Sequence, residues 1–228
     1  KAINSKKIPF KEEFLEINLP KVKIEATHDP KIIRKSDIVV ICVPTPVDDK
    51  YYPVLEPLIS ATKAIVNNFK KGQLIIVEST VNPGICEEVI NPIFTSRKLK
   101  PDKDYFLAHC PERINPGRDP ISKGYNVTNI PRVVGSSTKK GLNLALKFYQ
   151  SIIDAEIMPM KSIREAEAVK IMENSFRDIN IAFVNELAKS FDKLGIDIVD
   201  VIKGASTKPY AFMPHWPSCG VGGHCIPV

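Results

Sequence analysis

The run Ile38–Val43 (Ile-Val-Val-Ile-Cys-Val) is apolar at every position, and a strand of that kind must be buried on both faces. Pro44 and Pro46 end it. A second such run, Leu74–Val77, follows a segment of helical periodicity, Glu56–Phe69, that Gly72 closes. Pro83 stands where a first helical turn tolerates proline and leads a predicted helix to about Arg97. Tyr105–Ala108 and Arg132–Gly135 read as further strands, Val22–Ala26 as an earlier one, and Thr138 caps a helix reaching about Ile152. Strand and helix in alternation imply right-handed crossovers. The fold class is therefore α/β, a mostly parallel sheet covered on both faces.

A different organisation begins after about Met158. Ser162-x-x-Glu165 is a capping box, and an apolar series follows it through Ala168, Met172, Phe176, Ile179, Phe183, Leu187 and Phe191 until Gly195. A helix of roughly 30 residues would be about 45 Å long, the kind that joins domains or subunits. A shorter helix starts near Asp197, and Lys208–Val228 is Pro/Gly-rich and carries the only Trp. The expected division is residues 1–158 as the α/β part and 159–228 as an all-α segment. The chain opens on Lys1 and stops three residues past Cys225, so a longer parent is expected at both ends.

Composition excludes several classes. With 43% hydrophobic and 25% charged residues among 228, the chain is neither collagen-like nor disordered. No run approaches a membrane span. Lys+Arg 32 against Asp+Glu 26 gives +6, but the basic residues are spread along the chain, without the stripe a nucleic-acid partner would need. Five cysteines, odd in number and without C-x-x-C spacing, point to a reducing cytoplasm.

In an open α/β sheet, ligands lie at the carboxyl ends of the strands. Four loops qualify: Pro44-Thr45-Pro46, Glu78-Ser79-Thr80, His109-Cys110-Pro111-Glu112-Arg113, and the turn after Gly135. Each alone reads as turn chemistry; together they suggest a site. Lys170 and Asn174 share one face of the long helix. Such a pair is ordinarily solvated surface, yet held against a cleft it would donate to a developing oxyanion. Arg177 and Asp178 read as an ion pair, or as a phosphate contact. Cys225 closes Gly220-Val221-Gly222-Gly223-His224-Cys225, where glycines allow backbone to approach a ligand and a cysteine is poorly placed for a core. It reads as a nucleophile, whereas Cys42 and Cys86 read as small buried hydrophobes. His109, Cys110, His215, Cys219, His224 and Cys225 could supply soft ligands for zinc, but adjacent His-Cys pairs lack the usual ligand spacing, so no metal is expected.

In this order, Ile41-Cys42-Val43-Pro44-Thr45-Pro46, Glu78-Ser79-Thr80, Cys110-Pro111-Glu112-Arg113, Lys170-x-x-Glu173-Asn174-Ser175-Phe176-Arg177-Asp178 and Gly220-Val221-Gly222-Gly223-His224-Cys225 resemble the nucleotide-sugar 6-dehydrogenases of the UDP-glucose/GDP-mannose dehydrogenase family. The resemblance covers essentially the whole chain. Its Glu-Asn-Ser-Phe-Arg-Asp and Gly-Gly-His-Cys runs are similar to the branch acting on UDP-N-acetylmannosamine or UDP-N-acetylglucosamine. UDP-glucose enzymes carry a second glutamate where this chain has Pro116.

The resemblance implies a Rossmann-like NAD-binding domain followed by a long inter-domain and dimerisation helix, and a homodimer. It implies oxidation of the sugar C6 alcohol to a carboxylate with two NAD, through a thiohemiacetal and thioester on Cys225. Lys170 and Asn174 would stabilise oxyanions, and Glu112 and Thr80 would handle the hydrolytic water. Val43, Pro44, Thr45, Glu78, Ser79 and Thr80 would border the cofactor. Glu112, Arg113, Lys170, Asn174, Arg177 and Gly222 would border the UDP-sugar. The family's G-x-G-x-x-G turn, its aspartate just after the Cys-x-Pro-Val stretch and its UDP-binding domain have no counterpart here, so the 228-residue piece alone is expected to be inactive. The readings held open beside this one are UDP-glucose or GDP-mannose oxidation and a non-catalytic nucleotide-binding scaffold.

Overall fold

The computed structural model describes residues 2–8, 13–114 and 124–222. After a short first helix, α1 (Glu13–Asn18), five strands form one sheet in the order β1 (Ile38–Ile41), β2 (Gln73–Val77), β3 (Tyr105–His109), β4 (Arg132–Ser136), β5 (Ile157–Pro159). Neighbours are parallel except β3 and β4, which run antiparallel with Ala108 opposite Ser136 and His109 opposite Gly135. The expected mostly parallel sheet is therefore present, with one reversal.

That reversal relocates one expected loop. Because β4 runs backwards, the turn after Gly135 lies at the amino edge of β3, where Thr138 Oγ1 donates to the Asp102 carboxylate. The first residue of β4, Arg132, is carried to the carboxyl edge instead.

The period-2 alternation of the strands sorts the core into two layers. Ile75, Val77, Tyr105 and Leu107 pack with Leu58, Ile65, Ile90 and Phe94 on one face, under α2 (Glu56–Asn67) and α3 (Asn91–Thr95). Leu74, Ile76, Phe106 and Ala108 pack with Ala145, Tyr149 and Ile153 on the other, under α4 (Lys139–Gln150). The segment before α3 is wider than expected. Cys86–Ile90 forms a π-turn whose end is marked by the Asn91 N–H bonding to the Cys86 carbonyl. Pro92, one residue on, has no N–H to continue an α ladder back to Glu88.

Val22–Ala26 is not a strand. Among the described residues no strand lies beside it; the Asn4 side chain bonds both the N–H (2.6 Å) and the carbonyl (2.8 Å) of Ala26.

Helix α5 (Ile163–Asp192) has 30 residues. The Ser162 hydroxyl accepts from the Glu165 N–H at 3.1 Å, while the Glu165 carboxylate reaches the Lys161 N–H rather than that of Ser162. Its first turn sits on Gly135, where a Cβ would come within 2.4 Å of the Ser162 carbonyl oxygen. Gly195, at φ +70°, lets the chain turn away after the helix. Helix α6 (Ile198–Ala205) follows, capped by Asp197 accepting from Val199 N. No helix among the described residues is long and apolar enough to cross a membrane.

Candidate active site

The loops leaving β1, β2 and β3 converge at the carboxyl edge of the sheet, and α5 passes across them. They enclose a cleft of about 700 Å³, a size that suits a small ligand or the end of a larger one. Val43, Pro44 and Thr45 line it from β1, Glu78, Ser79 and Thr80 from β2, Glu112 from β3, and Asn174 from α5. Eight of the residues picked out in the sequence are thus brought to one place.

Each wall is held by identifiable bonds. Ser79 is buried and spends its hydroxyl inward, donating to the Val43 carbonyl at 2.7 Å, which pins the Pro44–Pro46 loop to the end of β2. Glu78 has both oxygens engaged: Oε1 accepts from the Tyr149 hydroxyl at 2.6 Å and Oε2 from the Cys42 thiol at 3.4 Å. Glu78 and Ser79 shape the cleft through these bonds. Glu112 Oε1 accepts from the N–H groups of Arg113 and Ile114, both at 2.7 Å, and Oε2 from Arg132 Nη1 at 3.0 Å. Burial works against the charge on Arg132, but Glu112 beside it outweighs that and holds the guanidinium above its ordinary range.

The surroundings of the two thiols near this edge favour the protonated form. Cys42, expected as a small buried hydrophobe, is instead exposed on the rim of the cleft because β1 ends at Ile41 and the chain turns out there. Partial desolvation, with Glu78 adding to it, raises its thiol to about 12, and burial does the same to Cys110, which lies against the Tyr149 hydroxyl. His109 is fully buried, neither ring nitrogen has a hydrogen-bond partner among the described residues, and burial lowers it to about 4. It is a neutral core residue.

Other sequence candidates fall elsewhere. Lys170 is half-buried one turn before Asn174 and is not among the groups lining the cleft. Arg113 pairs with Glu173 on α5 at 2.6 Å and donates to the Pro131 carbonyl, and it is not among the groups lining the cleft. Arg177 and Asp178 do not pair with each other among the described residues, because successive positions on a helix point about 100° apart. Asp178 turns into the cleft with Ile171 and Ser175, a role the sequence reading missed although Asp178 is four residues from Asn174. Gly222 adopts φ +66° on an exposed turn, and Cys225 lies outside the described residues. Among the described residues no three His, Cys, Asp or Glu side chains gather as a metal site.

The cleft suits the ring end of a dinucleotide: Val43, Pro44, Pro46, Leu55 and Val81 offer apolar walls at the carboxyl edge of a parallel β pair. Sheet, cleft and crossing helix together define a nucleotide-binding type of α/β domain with its ligand cleft at the carboxyl edge of the strands, followed by two helices.

Comparison with known proteins narrows the class. Residues 1–153 match the NAD binding domain, and residues 164–228 the central domain, of the UDP-glucose/GDP-mannose dehydrogenase family, and the chain belongs to that family. It is 40% identical over 219 residues to a UDP-N-acetyl-D-glucosamine 6-dehydrogenase from Pseudomonas aeruginosa, covering 94% of this chain and 50% of that protein. It is 36% identical over 207 residues to a UDP-N-acetyl-D-mannosamine dehydrogenase from Pyrococcus horikoshii, covering 90% and 47%. The solved structure of UDP-D-ManNAc dehydrogenase from Pyrococcus horikoshii superposes with a TM-score of 0.90 at 33% identity, over 99% of this chain and 53% of that one. The chain spans about half the length of the curated relatives it matches.

Proposed function

We propose that the protein carrying this chain oxidises the C6 alcohol of a UDP-N-acetylhexosamine to the uronic acid, in the cytoplasm and with NAD. The observation that carries this reading is the meeting of Thr80, Glu112 and Asn174 on one cleft, beside the Val43–Thr45 loop of a domain matching an NAD binding domain. The names of the relatives favour the N-acetylhexosamine branch over UDP-glucose.

When bound, NAD supplies the hydride acceptor for each of the two oxidations. The chain's own residues do the rest. The Cys225 thiolate adds to the C6 aldehyde, and the Asn174 amide with the Lys170 ammonium stabilises the oxyanion that forms. Loss of a second hydride leaves a thioester on Cys225. Glu112 accepts the proton of an attacking water that Thr80 helps to place, and the C–S bond breaks to release carboxylate and thiolate. Three hydrogen bonds fix the Glu112 carboxylate for that task. Arg113, engaged by Glu173, positions the loop behind Glu112, and Arg177 and Gly222 border the UDP-sugar.

We further propose a homodimer through α5. Met172, Phe176, Ile179 and Phe183 recur at helical spacing and are all exposed, an apolar stripe suited to a second copy. Sedimentation of the whole protein checks this, with a monomer as the contrary result.

The decisive experiment on function counts NADH per UDP-N-acetylhexosamine consumed by the whole protein and by Cys225→Ser. Two NADH per sugar, lost in the variant, is the expected result. One NADH, or an unaffected variant, means simple alcohol oxidation and an ordinary cysteine.

A further inference from the structure

Glu167 is a completely buried carboxylate on α5 that the proposed chemistry does not use. Burying such a group is costly unless its oxygens are paired. Both are: Oε2 accepts from the Gly84 N–H at 2.6 Å and Oε1 from the Cys86 N–H at 2.8 Å. These donors open the helical segment that continues into α3, where N–H groups have no partner within the helix and the dipole favours an anion. Gly84 meets the carboxylate with φ +103°, a conformation suited to glycine.

The position of this clamp gives it a consequence for the cleft. Thr80 and Asn82 lie four and two residues before Gly84 and line one wall. Ile171 and Asn174 lie four and seven residues after Glu167, on the same helical face, and line the facing wall. Among the described residues, Glu167 is the α5 side chain that bonds the backbone leading away from Thr80.

We infer that Glu167 is a positioning residue: its carboxylate sets the distance between Thr80 and the Lys170–Asn174 face of α5. This rests on the function proposed above. Misplacing catalytic groups by about 1 Å can cost on the order of a hundredfold in rate. The charge and reach of Glu167, beyond its volume, matter here, because Gln keeps the shape but turns an N–H donor toward one of the two N–H groups.

The test compares the whole wild-type protein with Glu167→Gln and Glu167→Asp, well below their unfolding temperatures. The expected result is a kcat lowered about ten- to a hundredfold per folded molecule, with KM for both substrates within about threefold and two NADH per sugar retained. Wild-type kcat in either folded variant overturns the inference. Should neither variant fold, amide hydrogen exchange of the wild type decides. Gly84 and Cys86 must exchange as slowly as the most protected amides of α5, and fast exchange sinks the clamp. A wild-type protein with no turnover would refute the proposed function, while the exchange measurement would still test the bond itself.

Discussion

Arg132 Nη1 donates to Glu112 Oε2 at 3.0 Å, joining a guanidinium that is 2% exposed to a carboxylate that is 35% exposed. The pairing exists because β4 runs antiparallel to β3 and so delivers its first residue to the edge where ligands bind. Glu112 thereby has a fixed orientation before any substrate arrives, and Arg132 has the counter-charge that its burial demands.

Glu112→Gln should therefore affect both folding and rate. Leaving Arg132 without a counter-charge is expected to cost about 1–3 kcal/mol, below the value for a fully enclosed pair because Glu112 is partly solvated. Urea titration measures this, and adding Arg132→Met should recover part of the loss, since the two sites are coupled. If the single and double variants add independently, the pair contributes nothing. In the reaction, the Gln variant should release NADH in a burst and then turn over slowly, by about a hundredfold, because thioester hydrolysis lacks its base.

Gly135→Ala tests the seat of α5. The added methyl would stand 2.4 Å from the Ser162 carbonyl oxygen, 2.7 Å from Ala166 Cβ and 2.9 Å from Ile163 Cα, and neither backbone can yield without moving the helix. The expected loss is about 2–3 kcal/mol. Gly204→Ala, in α6 with nothing within 4 Å, should instead stabilise by roughly 0.5 kcal/mol. Equal effects at the two sites would show that α5 does not rest on β4 this closely.

What the sequence reveals and what it conceals divide by range. The caps at Thr138, Ser162 and Asp197 and the strands Ile38–Ile41 and Gln73–Val77 are legible because each depends on neighbours a few residues away. The direction of β4 is not, since a long loop precedes it and either direction satisfies its apolar pattern. Val22–Ala26 has strand composition, but composition cannot supply a neighbouring strand. In the site, Thr80, Glu112 and Asn174 were visible as motif residues. The inward-turned hydroxyl of Ser79 and the partners of Glu167, 81 and 83 residues away, depend on packing that no local pattern encodes.

Thiol reactivity separates the cysteines without any substrate. Burial holds the Cys86 and Cys110 thiols well above their ordinary range, to about 12 for Cys110, and partial desolvation with the Glu78 carboxylate beside it raises the exposed Cys42 to about 12, so each is almost wholly protonated near pH 7.5. A brief iodoacetamide pulse on the native protein, mapped by peptide mass spectrometry, should leave these three unlabelled. Cys225, the proposed nucleophile, should label first, and exposed Cys219 after it. Denaturant should expose all five to the reagent. Rapid native labelling of Cys42, which stands on the rim of the cleft, would contradict this account of its surroundings.

His109 predicts an acid sensitivity of the fold. The unfolded chain carries its imidazole at the ordinary value of 6.5, whereas burial in β3 lowers it to about 4. Between those values the unfolded state binds the proton more readily, so its contribution to stability is fully present above 6.5 and is lost as the pH falls toward 4. The shift corresponds to roughly 3 kcal/mol across that window. His109→Met, similar in volume and unable to ionise, should keep its stability over the same range. Carboxylates titrate in the lower part of the window in both proteins, so the difference between the two urea-derived profiles isolates the histidine. Parallel profiles from pH 6.5 to 4 would mean that His109 takes up its proton as easily in the folded protein as out of it, and that β3 is open to water at its carboxyl end.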